Sequence, residues 1–176
     1  MIIAIIAWGS LIWEPKELQF DEKIGWLENG PILPIEFARI SNNKRLTLVI
    51  TPDGTPVKTM YSISTNNRLD LAVTNLMKRE GTIKRHIHSY CKINGFSDDT
   101  FSYKKNITDW INNTDYDCVI WTNLPENWKE KTNDRIEYLK SLSLDESLLA
   151  KEYICNTPKQ TQTNYRTLIE EKLNWK

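Results

Sequence analysis

Residues 1–7, Met-Ile-Ile-Ala-Ile-Ile-Ala, constrain this chain more than any other stretch. The run is short, uninterrupted by polar residues and mostly β-branched, so it predicts a buried strand. Trp8-Gly9-Ser10-Leu11 follows at once. Gly-Ser directly after a strand gives a tight turn whose backbone N–H groups can face a ligand. Gly9-Ser10 and Glu14-Pro15 break the apolar character early, which leaves too little length to span a membrane. No basic segment precedes the run, so a signal peptide is not expected.

The chain of 176 residues suits one domain, 1–176. Lys plus Arg and Asp plus Glu balance at 23 each, so no global field recruits nucleic acid or an anionic membrane. Cys91, Cys118 and Cys155 are widely spaced and form no C-x-x-C pair, so reduced thiols in a cytoplasmic protein are the expectation.

Along the chain, Glu14 to Leu18 predicts a short helical turn with Pro15 at its first position. Ile32 to Ile40 and Arg45 to Ile50, separated by Asn42-Asn43, predict a β-hairpin. Pro52-Asp53-Gly54 is a turn, and Val57 to Ser64 a further strand. From Asn66 to Arg79 the period becomes helical, with Leu69, Ala72, Val73 and Leu76 on one stripe and an Asn cap at 66 or 67. Tyr116 to Thr122 is the last strand. Helices are expected around Phe101 to Ile111 and from Ile136 to Leu142, with Leu148 to Ile154 either continuing the latter or starting a third, and from about Asn164 to Leu173. Strands first and helices later predict an α+β fold.

Glu80 carries the sharpest chemistry. At 100° per residue it falls about 20° from Leu69 and Val73, so its carboxylate points with the buried stripe. Gly81 is the expected helix stop. Burial and the negative end of the helix dipole both disfavour the charged form, which suits acid–base work near neutrality. The same two effects predict that Glu80→Gln would not cost stability. The alternative is a frayed helix end whose acid reaches water. Arg39 lies inside a predicted strand, where it can fork a substrate carboxylate or pair with an acid across strands. His86 and His88 fall on one face of an extended run, but no third ligand accompanies them, so they are read as solvated or cross-strand residues and no metal or cofactor is assigned. Ser10 lacks the G-x-S-x-G elbow of a hydrolase nucleophile.

Trp8-Gly9-Ser10-Leu11 after a first strand, Leu76-Met77-Lys78-Arg79-Glu80-Gly81 closing a helix, and a late Pro158…Tyr165 together resemble the γ-glutamylcyclotransferase-like family. The resemblance covers residues 1–95 and, more loosely, the tail. It implies a small mixed β-barrel with flanking helices, elaborated by helices at about 96–155. It implies that Trp8, Gly9, Ser10 and Leu11 bind a γ-glutamyl group through backbone amides, that Glu80 is the general acid/base, and that Tyr165 lies near the pocket. Trp8 departs from the family's Tyr, which bears on substrate identity. The implied reaction cyclises a γ-glutamyl amine or dipeptide to 5-oxoproline, with a small-molecule substrate as the partner. Two other readings fit the same residues: a different amide-cleaving enzyme on this scaffold, and a non-catalytic ligand-binding or interaction module.

Overall fold

The computed structural model describes residues 1–128 and 134–176. In chain order the elements are β1 (Ile3–Ala7), β2 (Ile32–Ile40), β3 (Leu46–Ile50), β4 (Thr55–Lys58), β5 (Met60–Ile63) and α1 (Leu69–Glu80). After a 3₁₀ turn, Lys84–His86, come β6 (Ile87–Cys91), β7 (Gly95–Phe96), α2 (Lys104–Ile111), β8 (Cys118–Thr122), α3 (Arg135–Lys140), α4 (Leu144–Asn156) and α5 (Asn164–Leu173). The described residues make a mixed α+β fold with two sheets. The chain divides into two compact units, each assembled from three segments.

The first unit comprises residues 1–7, 14–33 and 58–123. Its five-stranded sheet runs β5-β1-β8-β6-β7. The opening run becomes β1, with every residue buried, antiparallel to β5 on one side and parallel to β8 on the other. Parallel pairing with a late strand explains its lack of alternation, because an inner strand covered on both faces has no wet side. Ile5, Ile6, Leu76, Ile107, Ile120 and Trp121 anchor this core. Helix α1 packs on β8 and β6 and ends where Gly81 turns left-handed, at φ 59°. Its start corrects the expected Asn cap: Arg68 takes the cap position, with no side-chain capping hydrogen bond.

The second unit comprises residues 8–13, 34–57 and 124–176. Its three-stranded sheet runs β3-β2-β4. The expected β2–β3 hairpin is present, antiparallel, with an irregularity between Phe37 and Arg39. Helices α3, α4 and α5 also belong to this unit, with Ala150, Ile154 and Ile169 buried.

Four further expectations are corrected. The run Val57 to Ser64 is not one strand: β4 and β5 lie in different sheets, separated at buried Thr59, whose hydroxyl donates to the Pro31 carbonyl at 2.7 Å. Glu14 to Leu18 is not helical, because Lys16 adopts φ 52° and only a tight turn closes there. Cys91 and Cys118 are not reduced thiols. They are directly opposed on β6 and β8 and joined as a disulfide, and only Cys155 is free among the described cysteines. The two histidines do not share a strand face, since His86 ends the 3₁₀ turn and His88 lies buried in β6. No described helix is long and apolar enough to cross a membrane.

Candidate functional site

Glu80 is the last residue of α1, and its side chain is 16% exposed. The helical phase therefore placed it correctly, on the covered side. Arg79 Nη1 donates to Glu80 Oε1 at 2.6 Å, and the Arg79 side chain is only 5% exposed. Arg79 also donates through Nη2 to the Glu14 carbonyl at 2.6 Å. A largely buried guanidinium thus holds the carboxylate in one orientation, and a loop carbonyl holds the guanidinium. Adjacent residues on a helix point about 100° apart, so this pairing left no trace in the spacing of the sequence.

The turn after β1 belongs to the second unit. The Ile12 amide donates to the Gly9 carbonyl at 3.0 Å, which closes the turn. Among the described residues, no backbone carbonyl takes up the Gly9 or Leu11 amide. The Trp8 ring is buried, and its Nε1 donates to the Leu48 carbonyl of β3 at 3.3 Å. The Trp8 carbonyl accepts from the Thr161 hydroxyl at 3.2 Å. Leu11 is buried while Ser10 is half-buried. Two of the turn's four side chains are thus core, and what it can offer a ligand is backbone.

Tyr153 of α4 explains the glycine. A Cβ on Gly9 would lie 2.8 Å from the Tyr153 hydroxyl oxygen. That hydroxyl also accepts from the Leu48 amide at 3.4 Å, and Trp13 packs edge-on against the ring at 5.3 Å. The Arg45 guanidinium sits 5.6 Å from the centre of the same ring. Neither Tyr153 nor Arg45 was singled out by the sequence. Tyr153 lies in an apolar helical run, and a Gly-Ser turn does not announce which side chain crowds it.

Arg39 Nη1 donates to the Pro125 carbonyl at 2.6 Å, which ties β2 to the segment that follows β8 rather than to an acid across the sheet. Tyr165 is on the first turn of α5, and the Arg135 guanidinium lies 3.9 Å from its ring centre. Arg135 also lies 5.1 Å from the Trp128 ring centre and donates through Nε to the Phe37 carbonyl at 2.6 Å. A cation between two aromatic faces is a pre-set anion receptor in outline, because stacking fixes its plane.

Glu36, only 3% exposed, is the second buried acid. It accepts from the Phe37 amide at 2.9 Å, the Thr163 hydroxyl at 2.5 Å, the Thr55 hydroxyl at 3.2 Å and the Tyr165 amide at 3.4 Å. Four donors, two of them at the start of α5, satisfy the carboxylate and leave it a structural role.

Glu80 thus stands in the first unit, and Trp8, Gly9, Ser10, Leu11, Arg39 and Tyr165 stand in the second. Compared with known proteins, the chain matches no family model, no curated protein and no solved structure.

Proposed function

We propose that the protein is a γ-glutamylcyclotransferase-like enzyme that cyclises the glutamyl group of a γ-glutamyl amine or dipeptide to 5-oxoproline and releases the amine. The observation that carries this reading is Glu80: a carboxylate shielded from solvent, at a helix end, held in one orientation by Arg79. A small mixed β-barrel with flanking helices is the finer fold that belongs to the same proposal. So does a cytoplasmic location, where the Cys91–Cys118 disulfide would meet a reducing pool.

The chemistry asks little of the protein beyond a proton carrier and a mould. The substrate's own α-amine attacks its γ-carbonyl carbon, a C–N bond closes the five-membered ring, and the original amide C–N bond breaks. Glu80 takes the proton lost by the ammonium and returns one to the departing amine, so a single carboxyl serves as base and then acid. Folding the glutamyl chain so that its ends meet contributes several kcal/mol of pre-organised proximity. Arg79 is a positioning residue, acting through Glu80.

The test is a panel of γ-glutamyl dipeptides and amines incubated with the whole chain, with 5-oxoproline read by mass spectrometry. Glu80→Gln retains the shape and loses the proton function. Its turnover is expected to fall by about 10²-fold or more. Equal 5-oxoproline formation by wild type and a folded Glu80→Gln variant would refute the mechanism, and no product from any substrate would refute the activity.

A further inference from the structure

Two adjoining cavities open on the first unit, away from anything assigned above. The larger, about 540 Å³, has apolar walls from Met1, Leu69, Val73 and Ile87. The smaller, about 420 Å³, is lined by Lys84, Arg85, His88, Ser97 and Asp98 together with Ile87. Lys84, Ile87 and Ser97 line both, so the apolar and polar spaces adjoin. Each volume falls in the range that holds a small organic ligand.

The charges are arranged unequally. Arg68 and Asp70, at the larger cavity, neutralise each other at 2.7 Å. Asp98 faces His88 Nε2 at 3.5 Å and accepts from the Thr100 amide and hydroxyl. Lys84 and Arg85 are exposed on the 3₁₀ turn and enter no ion pair among the described residues. The polar end therefore carries two uncompensated cations beside one engaged carboxylate, which favours a single negative charge over a dianion. His88 sits in the wall of the smaller space, its side chain 7% exposed, with its Nε2 3.4 Å from the Asn123 side-chain nitrogen.

We propose that this double cavity is a binding site for an amphipathic monocarboxylate, with its apolar body between α1 and β6 and its carboxylate at Lys84 and Arg85. The guanidinium of Arg85 offers the fork geometry that a carboxylate matches, and Lys84 stands where the two spaces join. Nothing in this site draws on Glu80 or on the turn after β1.

The test is titration of the full chain with decanoate below its micelle concentration, followed by amide NMR and calorimetry. Decan-1-ol and acetate serve as probes of body and head alone. Decanoate is expected to shift the Val73, Ile87 and Ser97 amides and to bind roughly tenfold or more tighter than either control. Lys84→Glu with Arg85→Glu, both exposed and safe for folding, is expected to weaken decanoate roughly tenfold while leaving decanol unchanged. Val73→Trp, which fills the larger space, is expected to abolish binding. Equal affinity for decanol and decanoate, or full decanoate affinity in the double charge reversal, overturns the proposal. Because the readout is binding, Glu80→Gln should bind decanoate as wild type does, whatever its turnover.

Discussion

At the scale of single residues, Gly9 and Glu80 owe their environments to neighbours that no sequence window contains. A methyl group at Gly9 would press on a Tyr153 hydroxyl held by the Leu48 amide and flanked by Trp13 and Phe37. Gly9→Ala is expected to cost about 1–3 kcal/mol by overpacking. Tyr153→Phe should couple with it non-additively in a urea-denaturation cycle, and strict additivity would show that the hydroxyl is not the obstacle. Glu80→Gln carries a stability expectation beside its kinetic one. A lone acid would be relieved by neutralisation, but here the change deprives the buried Arg79 of its counter-charge. The variant should therefore lose about 1–3 kcal/mol rather than gain, measured by denaturation at neutral pH.

His88 shows the same dependence on surroundings. Burial pushes its pKa below the ordinary imidazole value, against the pull of the Asp98 carboxylate and the Arg85 carbonyl. A depressed folded-state pKa means that the unfolded chain binds the proton more readily. The contribution to stability is therefore complete above the unfolded value of about 6.5 and is lost as pH falls through the folded value. Histidine NMR should show His88 titrating below that value, and Asp98→Asn should lower it further. A rise in the variant would place the carboxylate's influence elsewhere.

Among elements, the legible ones declare themselves by period and punctuation. Helix α1 was visible in the stripe Leu69, Ala72, Val73, Leu76 and in Gly81. Helix α5 was visible as the last periodic run, and its bounds at Asn164 and Leu173 agree with the expectation. The β2–β3 hairpin followed from alternation across an Asn-rich turn. What escaped had no periodic signature: Thr59 interrupts an extended run by turning its hydroxyl to a carbonyl, and Lys16 enters positive φ after Pro15. At the candidate site, the phase of Glu80 was readable because a helix wheel fixes direction. The partners of Arg39, Glu36 and Gly9 were not, because each comes from a distant segment. Thr163 illustrates the point, since it caps α5 by accepting from the Arg166 amide while donating to Glu36. Thr163→Ala removes both bonds and is expected to cost about 1–2 kcal/mol, with Ser restoring most of it. A neutral Ala variant in thermal or urea denaturation would show that the cap is dispensable.

At the scale of the whole molecule, covalent and topological constraints come forward. The Cys91–Cys118 disulfide joins directly opposed residues of β6 and β8, with 27 residues of sequence separation. Closing a loop of this length restricts the unfolded chain, and Cys91→Ala with Cys118→Ala should lose about 3 kcal/mol relative to the oxidised protein. Equal denaturation midpoints with and without reductant would show that the bond contributes nothing. The β1–β8 parallel pair adds to this, because it brings residues 3–5 against residues 118–120 and must wait for a long loop to close.

The interleaving of segments has a consequence for how the chain comes into being. The backbone passes between the two units five times, and the second unit takes its pieces from residues 8–13, 34–57 and 124–176. On a ribosome the first unit has all its segments once Asn123 has emerged, whereas the β2–β3 hairpin is made early and its helices come last. During that interval the nascent chain presents Phe37 with no α4 yet in existence to set Tyr153 against it, so the hairpin is the stretch most exposed to aggregation while the chain is being made.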